Sequence, residues 1–252
     1  MATVRANGLD IAYLREGDGP PLVLLHGATS SATEDWAAQR PLFRQSHTLY
    51  LPDARGHGGT RYDPDLGWSR EALVDDLEAF ADALGLDTFH VGGLSMGAMT
   101  ALAFAVRRPE RVRSALLVGT DIEREPRTRV AQRLMDPERI DRDEPGWAAA
   151  LERRHGPVQG AGQWRRLLPA IADEVGRQPS LTPADLRRVR LPVLYVVGDR
   201  DPFVPTEHAA RLHRMLPDAR LFIVPGCGHV VNAEQPALLN QVAAAFWRGI
   251  GG

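Results

Sequence analysis

Apolar positions along this chain fall into two rhythms, and their alternation predicts the architecture. Short runs that are apolar throughout, Pro21–Leu25 the clearest, read as strands buried on both faces. Similar runs recur at 48–51, 88–92, 113–118, 193–197 and 220–224, and Asn7-Gly8 reads as the turn of an opening hairpin. Between them, apolar residues spaced three and four apart predict helices. Ser69 can cap one that reaches Leu84, with Leu73, Leu77, Phe80, Ala81 and Leu84 on one face. Further helices are predicted at 33–43, 96–106, 205–216 and 236–247, the last with proline in its first turn. Strand–helix alternation of this kind predicts an α/β fold: a mostly parallel sheet of about eight strands with helices on both faces.

One stretch breaks the rhythm. From residue 122 to 186 no strand pattern occurs, only helical pieces at 128–136, 145–154 and 164–177. Eleven arginines and eleven acidic residues give it a balanced, charged surface. It is expected to be a helical cap, residues 122–188, inserted between core halves 1–121 and 189–252.

The composition narrows the function. A chain of 252 residues suits one large domain or a core with a small insertion, and a net charge of −2 gives no basis for nucleic acid or an anionic membrane surface as partner. The apolar runs are far too short to span a membrane, and Met1-Ala2-Thr3-Val4-Arg5 opens without a secretory apolar stretch, so a cytoplasmic monomer or homodimer is expected. A single cysteine, Cys227, excludes an internal disulfide and a cysteine-rich zinc site. All 30 basic residues are arginine, a pattern that codon bias in a GC-rich genome explains. Without lysine there is no amine for a pyridoxal Schiff base or a P-loop. No metal or organic cofactor is expected.

The chemistry is carried by Gly93-Leu94-Ser95-Met96-Gly97, a G-x-S-x-G pattern between a predicted strand and a predicted helix. With seven serines and 24 glycines in the chain, this spacing would arise by chance far less than once. A serine hydroxyl is a poor nucleophile and must be exposed to a base and to substrate. A sharp strand-to-helix turn exposes it, and the helix N-terminus favours developing negative charge.

Four histidines follow Ser95 in the chain. His229 lies in Gly226-Cys227-Gly228-His229, a glycine-bounded loop after the last predicted strand, where open α/β sheets place functional groups. His208 and His213 read as surface residues of a charged helix, and His155 belongs to the cap. In Gly198-Asp199-Arg200-Asp201-Pro202 both aspartates are candidates to orient the histidine; Asp199 is assigned to the turn and Asp201 to catalysis, with Asp121 a weaker third. The oxyanion hole needs two backbone N–H groups: that of Met96, and one from His26-Gly27-Ala28-Thr29, where Ala28 is preferred to Thr29. His26 is taken as structural, and Cys227 as a small buried filler.

Leu25-His26-Gly27, Asp53-Ala54-Arg55-Gly56-His57-Gly58, the serine motif, Gly198-Asp199-Arg200-Asp201 with Val204-Pro205, and Gly228-His229 with Glu234-Gln235-Pro236 stand in one order. In that order they resemble the α/β-hydrolase superfamily over nearly the whole chain. Ser95 departs from the haloalkane dehalogenases and epoxide hydrolases of that superfamily, which carry aspartate there. Val230 after His229 departs from its carbon–carbon bond hydrolases, which usually have tryptophan. The serine motif resembles those of carboxylesterases, 3-oxoadipate enol-lactonases and cofactor-free haloperoxidase-like esterases. The resemblance implies a Ser95–His229–Asp201 triad that cleaves a small to medium carboxylic ester or lactone through an acyl-enzyme. Alternatives are carbon–carbon hydrolysis or perhydrolysis on the same triad, and a slow or non-catalytic receptor for a small ligand. Thr29, Trp147, Trp164, Leu168 and Val230 are expected around a partly enclosed apolar pocket. Leu134, Met135, Ile140, Leu151, Leu167 and Ile171 complete the apolar inventory of the cap.

Overall fold

The computed structural model describes residues 1–177 and 181–250. Residues 178–180, within the predicted cap, and 251–252, at the end of the predicted core, lie outside the described residues. Strands β1 (Ala2–Ala6) and β2 (Leu9–Glu16) form an antiparallel hairpin whose turn residues Asn7 and Gly8 are both left-handed, at φ 45° and 74°. Strands β3 (Pro21–Leu25), β4 (Thr48–Pro52), β5 (Phe89–Leu94), β6 (Val112–Val118), β7 (Val193–Gly198) and β8 (Ala219–Val224) run parallel, and β2 pairs antiparallel with β4. The eight strands form one sheet in the order β1-β2-β4-β3-β5-β6-β7-β8.

Period-two alternation sends successive side chains to opposite faces. Val23, Val91, Leu117, Tyr195 and Val197 join helices α3 (Arg70–Ala83), α4 (Met96–Arg107) and α10 (Thr206–Met215) on one face. Leu22, Leu24, Leu116, Val118 and Val196 join α1 (Ala32–Asp35), α2 (Arg40–Phe43) and α12 (Pro236–Gly249) on the other. A short α11 (Val231–Glu234) precedes α12. Ser69 caps α3, its Oγ accepting from the Ala72 N–H at 3.2 Å.

Two expectations about local structure need correcting. The single helix predicted over 33–43 is two short ones. Pro41 fits only the first turn of a helix, and buried Trp36, whose indole N–H donates to the Leu25 carbonyl at 3.2 Å, ends the first piece. The helix predicted to stop at Arg154 continues through Pro157 to Gln159, and an additional helix precedes it.

Between β6 and β7 lie α5 (Arg127–Leu134), α6 (Pro137–Asp143), α7 (Pro145–Gln159), α8 (Trp164–Gly176) and α9 (Pro183–Leu186), which add no strand to the sheet among the described residues. Met135, Ile140, Leu151, Trp164, Leu167, Leu168 and Ile171 form a third apolar cluster with Ala28, Trp68 and Leu73. The extension of α7 is anchored by tertiary bonds. The Gln159 amide donates to the carbonyls of Thr60 at 2.8 Å and Gly58 at 3.2 Å, and its Oε1 accepts from the Tyr62 N–H at 3.1 Å. No helix among the described residues is long and apolar enough to cross a membrane.

Candidate active site

The chain order turns back at β3. It passes outward to β4, then returns to β5 on the other side of β3, so the C-terminal ends of β3 and β5 meet at a topological switch point. Register aligns Leu25 with Gly93, and the loop after β3 therefore abuts the turn after β5.

That turn is Ser95, at φ 53° and ψ −110°, a conformation costing about 1–3 kcal/mol in a non-glycine residue. Its flanking glycines are dictated by space. A Cβ at Gly93 would stand 2.2 Å from the Gly97 carbonyl carbon, and one at Gly97 would stand 2.5 Å from the Leu25 oxygen. The Ser95 N–H donates to the Val118 carbonyl at 2.8 Å, which leaves Ser95 half-buried at the head of α4. Its own N–H is thus spent. Among the described residues the N–H of Ala28 finds no acceptor, and that of Met96, first in its helix, lies ahead of the helical ladder. Ser95, Met96, Ala28 and His229 line one cavity.

His229 enters from the loop after β8. Its Nδ1 donates to Asp201 Oδ2 at 2.8 Å, while the other carboxylate oxygen accepts from the N–H groups of Phe203 at 2.8 Å and Val204 at 3.2 Å. The Asp201 carboxylate is fully buried. Phe203 lies against the imidazole, ring centroids 4.4 Å apart, and Gly119 approaches it so closely that a Cβ there would be 3.0 Å from His229 Cε1. The remaining nitrogen, Nε2, is buried with no hydrogen-bond partner. An imidazole held as the Nδ1–H tautomer presents a lone pair on Nε2 to this cavity.

Asp199 departs from its assigned turn role: its Oδ1 accepts from the Cys227 N–H at 3.2 Å and ties the loops after β7 and β8 together. Cys227 is fully buried, and burial, then Glu234, push its thiol up to about 11. His208, expected at the surface, is partly buried and its Nδ1 contacts Asp121 Oδ2 at 2.8 Å, so Asp121 is taken up by a different histidine.

The loop after β3 rests on histidines. His26 Nδ1 donates to the Gly27 carbonyl at 2.8 Å and its Nε2 accepts from the Ala54 N–H at 2.9 Å, fixing the neutral tautomer. His57 lies between the carbonyls of Arg55 at 3.0 Å and Ala28 at 2.9 Å. His155 Nδ1 accepts from the Gly58 N–H at 3.1 Å. Burial pushes His57 down to about 4 and His155 to about 2, the neighbouring histidines adding to it. Arg55 reaches α3 and pairs with Asp76 at 2.6 and 2.7 Å.

The five residues expected around the pocket lie elsewhere. Trp164 and Leu168 are fully buried inside the apolar cluster of the inserted helices, with Trp164 Nε1 donating to Glu152 at 3.1 Å. Trp147 packs at the edge of that cluster, the Thr29 carbonyl accepts from Arg154, and Val230 is exposed. The cavity wall is built instead from Trp68, Arg70, Met99, Thr100, Thr120 and Phe203 of the core, and Arg127, Ala131, Met135, Ile171, Glu174 and Val175 of the inserted helices. Only Met135 and Ile171 belong to the apolar inventory recognised in the sequence. Among the described residues no group of three or more histidine, cysteine or carboxylate side chains is gathered to hold a metal ion.

Comparison with known proteins accords with this fold. The sequence model of the Alpha/beta hydrolase family matches residues 22–242. The 2-hydroxy-6-oxo-2,4-heptadienoate hydrolase of Pseudomonas putida is 28% identical over 96% of this chain and 95% of its own length. A thermophilic esterase from Thermogutta terrifontis superposes with a TM-score of 0.78 at 26% identity, covering 100% of this chain and 99% of that one. The meta-cleavage product hydrolase CumD of Pseudomonas fluorescens IP01 shares the fold, with a TM-score of 0.80 at 22% identity over 99% of this chain and 98% of that one.

Proposed function

This chain belongs to the alpha/beta hydrolase family, and from that premise we propose that it is a serine hydrolase cleaving a small to medium carboxylic ester or lactone through an acyl-enzyme. One observation carries the reading. His229, bonded to Asp201 through Nδ1 at 2.8 Å and with Nε2 unpartnered, lines the same cavity as Ser95.

The chemistry follows from the tautomer. Nε2 takes the Ser95 proton as Oγ attacks the substrate carbonyl, and the imidazolium formed is stabilised by Asp201. The carbonyl oxygen, now negative, is received by the N–H groups of Met96 and Ala28, each worth about 3 kcal/mol of barrier. His229 then returns the proton to the leaving alkoxide, and water repeats the sequence on the acyl-enzyme. The strained Ser95 backbone keeps Oγ at the head of α4, where the positive end of the helix assists.

A second reading, hydrolysis of a carbon–carbon bond by the same residues, is supported by the relative from Pseudomonas putida, named for a 2-hydroxy-6-oxo-2,4-heptadienoate. Steady-state assays decide between the two. Wild type and Ser95→Ala are compared on p-nitrophenyl esters of increasing chain length, on lactones and on that dienoate, alongside fluorophosphonate labelling. Turnover of esters or lactones lost in Ser95→Ala upholds the first reading. Turnover of the dienoate alone replaces it with the second. Neither turnover nor labelling would leave a ligand receptor.

A further inference from the structure

The same cavity contains more polarity than ester hydrolysis needs. On its wall, Trp68 is 7% and Arg70 4% exposed. Trp68 Nε1 and Arg70 Nη2 are buried with no hydrogen-bond partner, as is Thr120 Oγ1. A buried donor left unpaired costs about 1–3 kcal/mol, and more if charged, so such groups are ordinarily satisfied by protein, water or ligand.

Trp68 and Arg70 flank Ser69, whose extended backbone (φ −149°, ψ 160°) puts both side chains on the same side of the chain just as α3 begins. The 14-residue helix adds its positive end to the guanidinium. Arg127, the second arginine on the wall, donates to the Asp121 carbonyl.

One carboxylate, Glu174, lines the cavity as well. It does not neutralise Arg70. Its Oε1 accepts from the Arg70 backbone N–H at 3.4 Å, its Oε2 lies 4.0 Å from the outward Arg177, and it forms no ion pair with the Arg70 side chain. Glu174 and the adjacent Glu71 both act on Arg70, and neither forms an ion pair with its guanidinium. Burial, and next the Arg127 charge, push the Arg70 guanidinium down to about 10, while Glu174 opposes this. Trp68 N–H and guanidinium N–H groups are donors only, and what they lack is an acceptor with negative charge.

We propose that Arg70 and Trp68 receive a free carboxylate of the substrate, so that the ester or lactone cleaved at Ser95 belongs to a dicarboxylic acid. The assignment rests on the serine-hydrolase reading for the bond broken, and on the cavity wall alone for the anion.

The test compares a p-nitrophenyl hemiester of glutaric acid with the neutral p-nitrophenyl valerate. The whole chain is assayed as wild type, Arg70→Gln, Arg70→Lys and Trp68→Phe, each checked for its melting temperature. Wild type should prefer the hemiester in kcat/KM. The hemiester-to-valerate ratio should fall by about 10- to 100-fold in Arg70→Gln, recover in part in Arg70→Lys, and fall by a smaller factor in Trp68→Phe. A wild-type preference for valerate, or a ratio that Arg70→Gln leaves unchanged, would overturn the proposal. Calorimetry of glutarate binding to Ser95→Ala, with and without Arg70→Gln, separates the two readings. Binding that depends on Arg70 in a protein without esterase activity would defeat the hydrolase and keep the anion site. Hydrolysis of neutral esters with no Arg70-dependent binding or selectivity would do the reverse.

Discussion

Two aspartate–histidine pairs stand side by side at the C-terminal edge of this sheet, and only one of the two histidines lines the cavity with Ser95. Asp121 lies three residues past the end of β6, and Asp201 three residues past the end of its neighbour β7. In each, Oδ2 meets a histidine Nδ1 at 2.8 Å, and the carboxylates are 1% and 0% exposed, the imidazoles 18% and 16%. Distance and burial do not tell the pairs apart. The difference is what the second ring nitrogen meets. His229 Nε2 is buried on the cavity shared with Ser95. His208, on α10, lines a surface cleft with Pro205, Glu207, Ala210, Arg211 and Arg214. A carboxylate can set an imidazole's tautomer anywhere; the set tautomer matters only where a nucleophile waits on the other side.

The hardest test of that contrast removes each histidine. On the best ester or lactone, His229→Ala should lose at least about 10⁴-fold in kcat, as should Ser95→Ala. His208→Ala should stay within about threefold, as expected of a group that touches no reacting atom. Equal losses in steady-state assays would show that the two pairs work together and that the comparison is misdrawn.

The aspartates sharpen it. In Asp201, two backbone N–H groups converge on Oδ1 and fix that atom as an acceptor. Asp201→Asn must therefore turn its NH₂ toward His229 Nδ1, which makes Nδ1 the acceptor and leaves Nε2 protonated against Ser95. A loss of about 10⁴-fold in kcat follows, with Asp121→Asn close to wild type. The reverse ranking would reassign the acid and leave the rest of the site standing.

These assignments were legible because each depends on a few residues of special chemistry at a strand end. Gly93 and Gly97 announce the elbow, since any side chain there collides with backbone, and Gly228-His229 follows the last strand. Asp201 was separable from Asp199 only by assignment of roles, and the turn role assigned to Asp199 is in fact filled by Asp201 itself. The cavity wall was not legible. The most apolar residues of the inserted helices, Trp164 and Leu168, satisfy one another inside their own cluster, and the side chains left for the cavity are a mixture of Arg127, Ala131, Met135, Ile171 and Glu174. No periodicity marks such a surface, because it is selected by packing between segments far apart in the chain. Trp68 and Arg70 escaped notice for the same reason: beside a helix cap they read as ordinary flanking residues.

Histidines without an acid partner extend the comparison to stability. The ring nitrogens of His57 meet the carbonyls of Arg55 and Ala28 and backbone holds His26, while His155 accepts from the Gly58 N–H. Folding keeps His57 neutral down to about 4, whereas the unfolded chain protonates it below about 6.5. The unfolded state thus binds more protons between those values, and stability, complete above about pH 6.5, falls as the pH drops toward 4. The slope is about 1.4 kcal/mol per pH unit for each such group, or roughly 3 kcal/mol for His57 across the window. Urea unfolding at pH 7, 5.5 and 4.5 should show it, and His57→Gln should flatten the slope by about one proton. A slope equal to wild type in that variant would place the acid sensitivity elsewhere.

The smallest expected effect is the stability of Asp121→Asn, and it tests whether the second pair is structural at all. Burial raises the Asp121 carboxyl, despite the opposing bonds from the Glu123 N–H at 3.2 Å and from His208. A folded value above the unfolded one means that the charged form is disfavoured in the fold. The cost is present at neutral pH and relieved as the pH falls through the folded value. An amide removes that buried charge. Its oxygen can keep the Glu123 N–H while its NH₂ turns to His208 Nδ1, which must then accept as the other tautomer; exchanging a charge-assisted bond for a neutral one costs about 1 kcal/mol, which offsets the gain. The net change at pH 7 should stay within about 1 kcal/mol, a melting shift of roughly 2–4 °C at most for a chain of this size. Asp201→Asn disturbs more, since that carboxylate is held by three donors, the N–H groups of Phe203 and Val204 and His229 Nδ1. Calorimetric melting of both variants decides it. A drop of more than about 2 kcal/mol in Asp121→Asn would mean that the His208 pair holds β6 to α10, and that the two pairs differ in task rather than in worth.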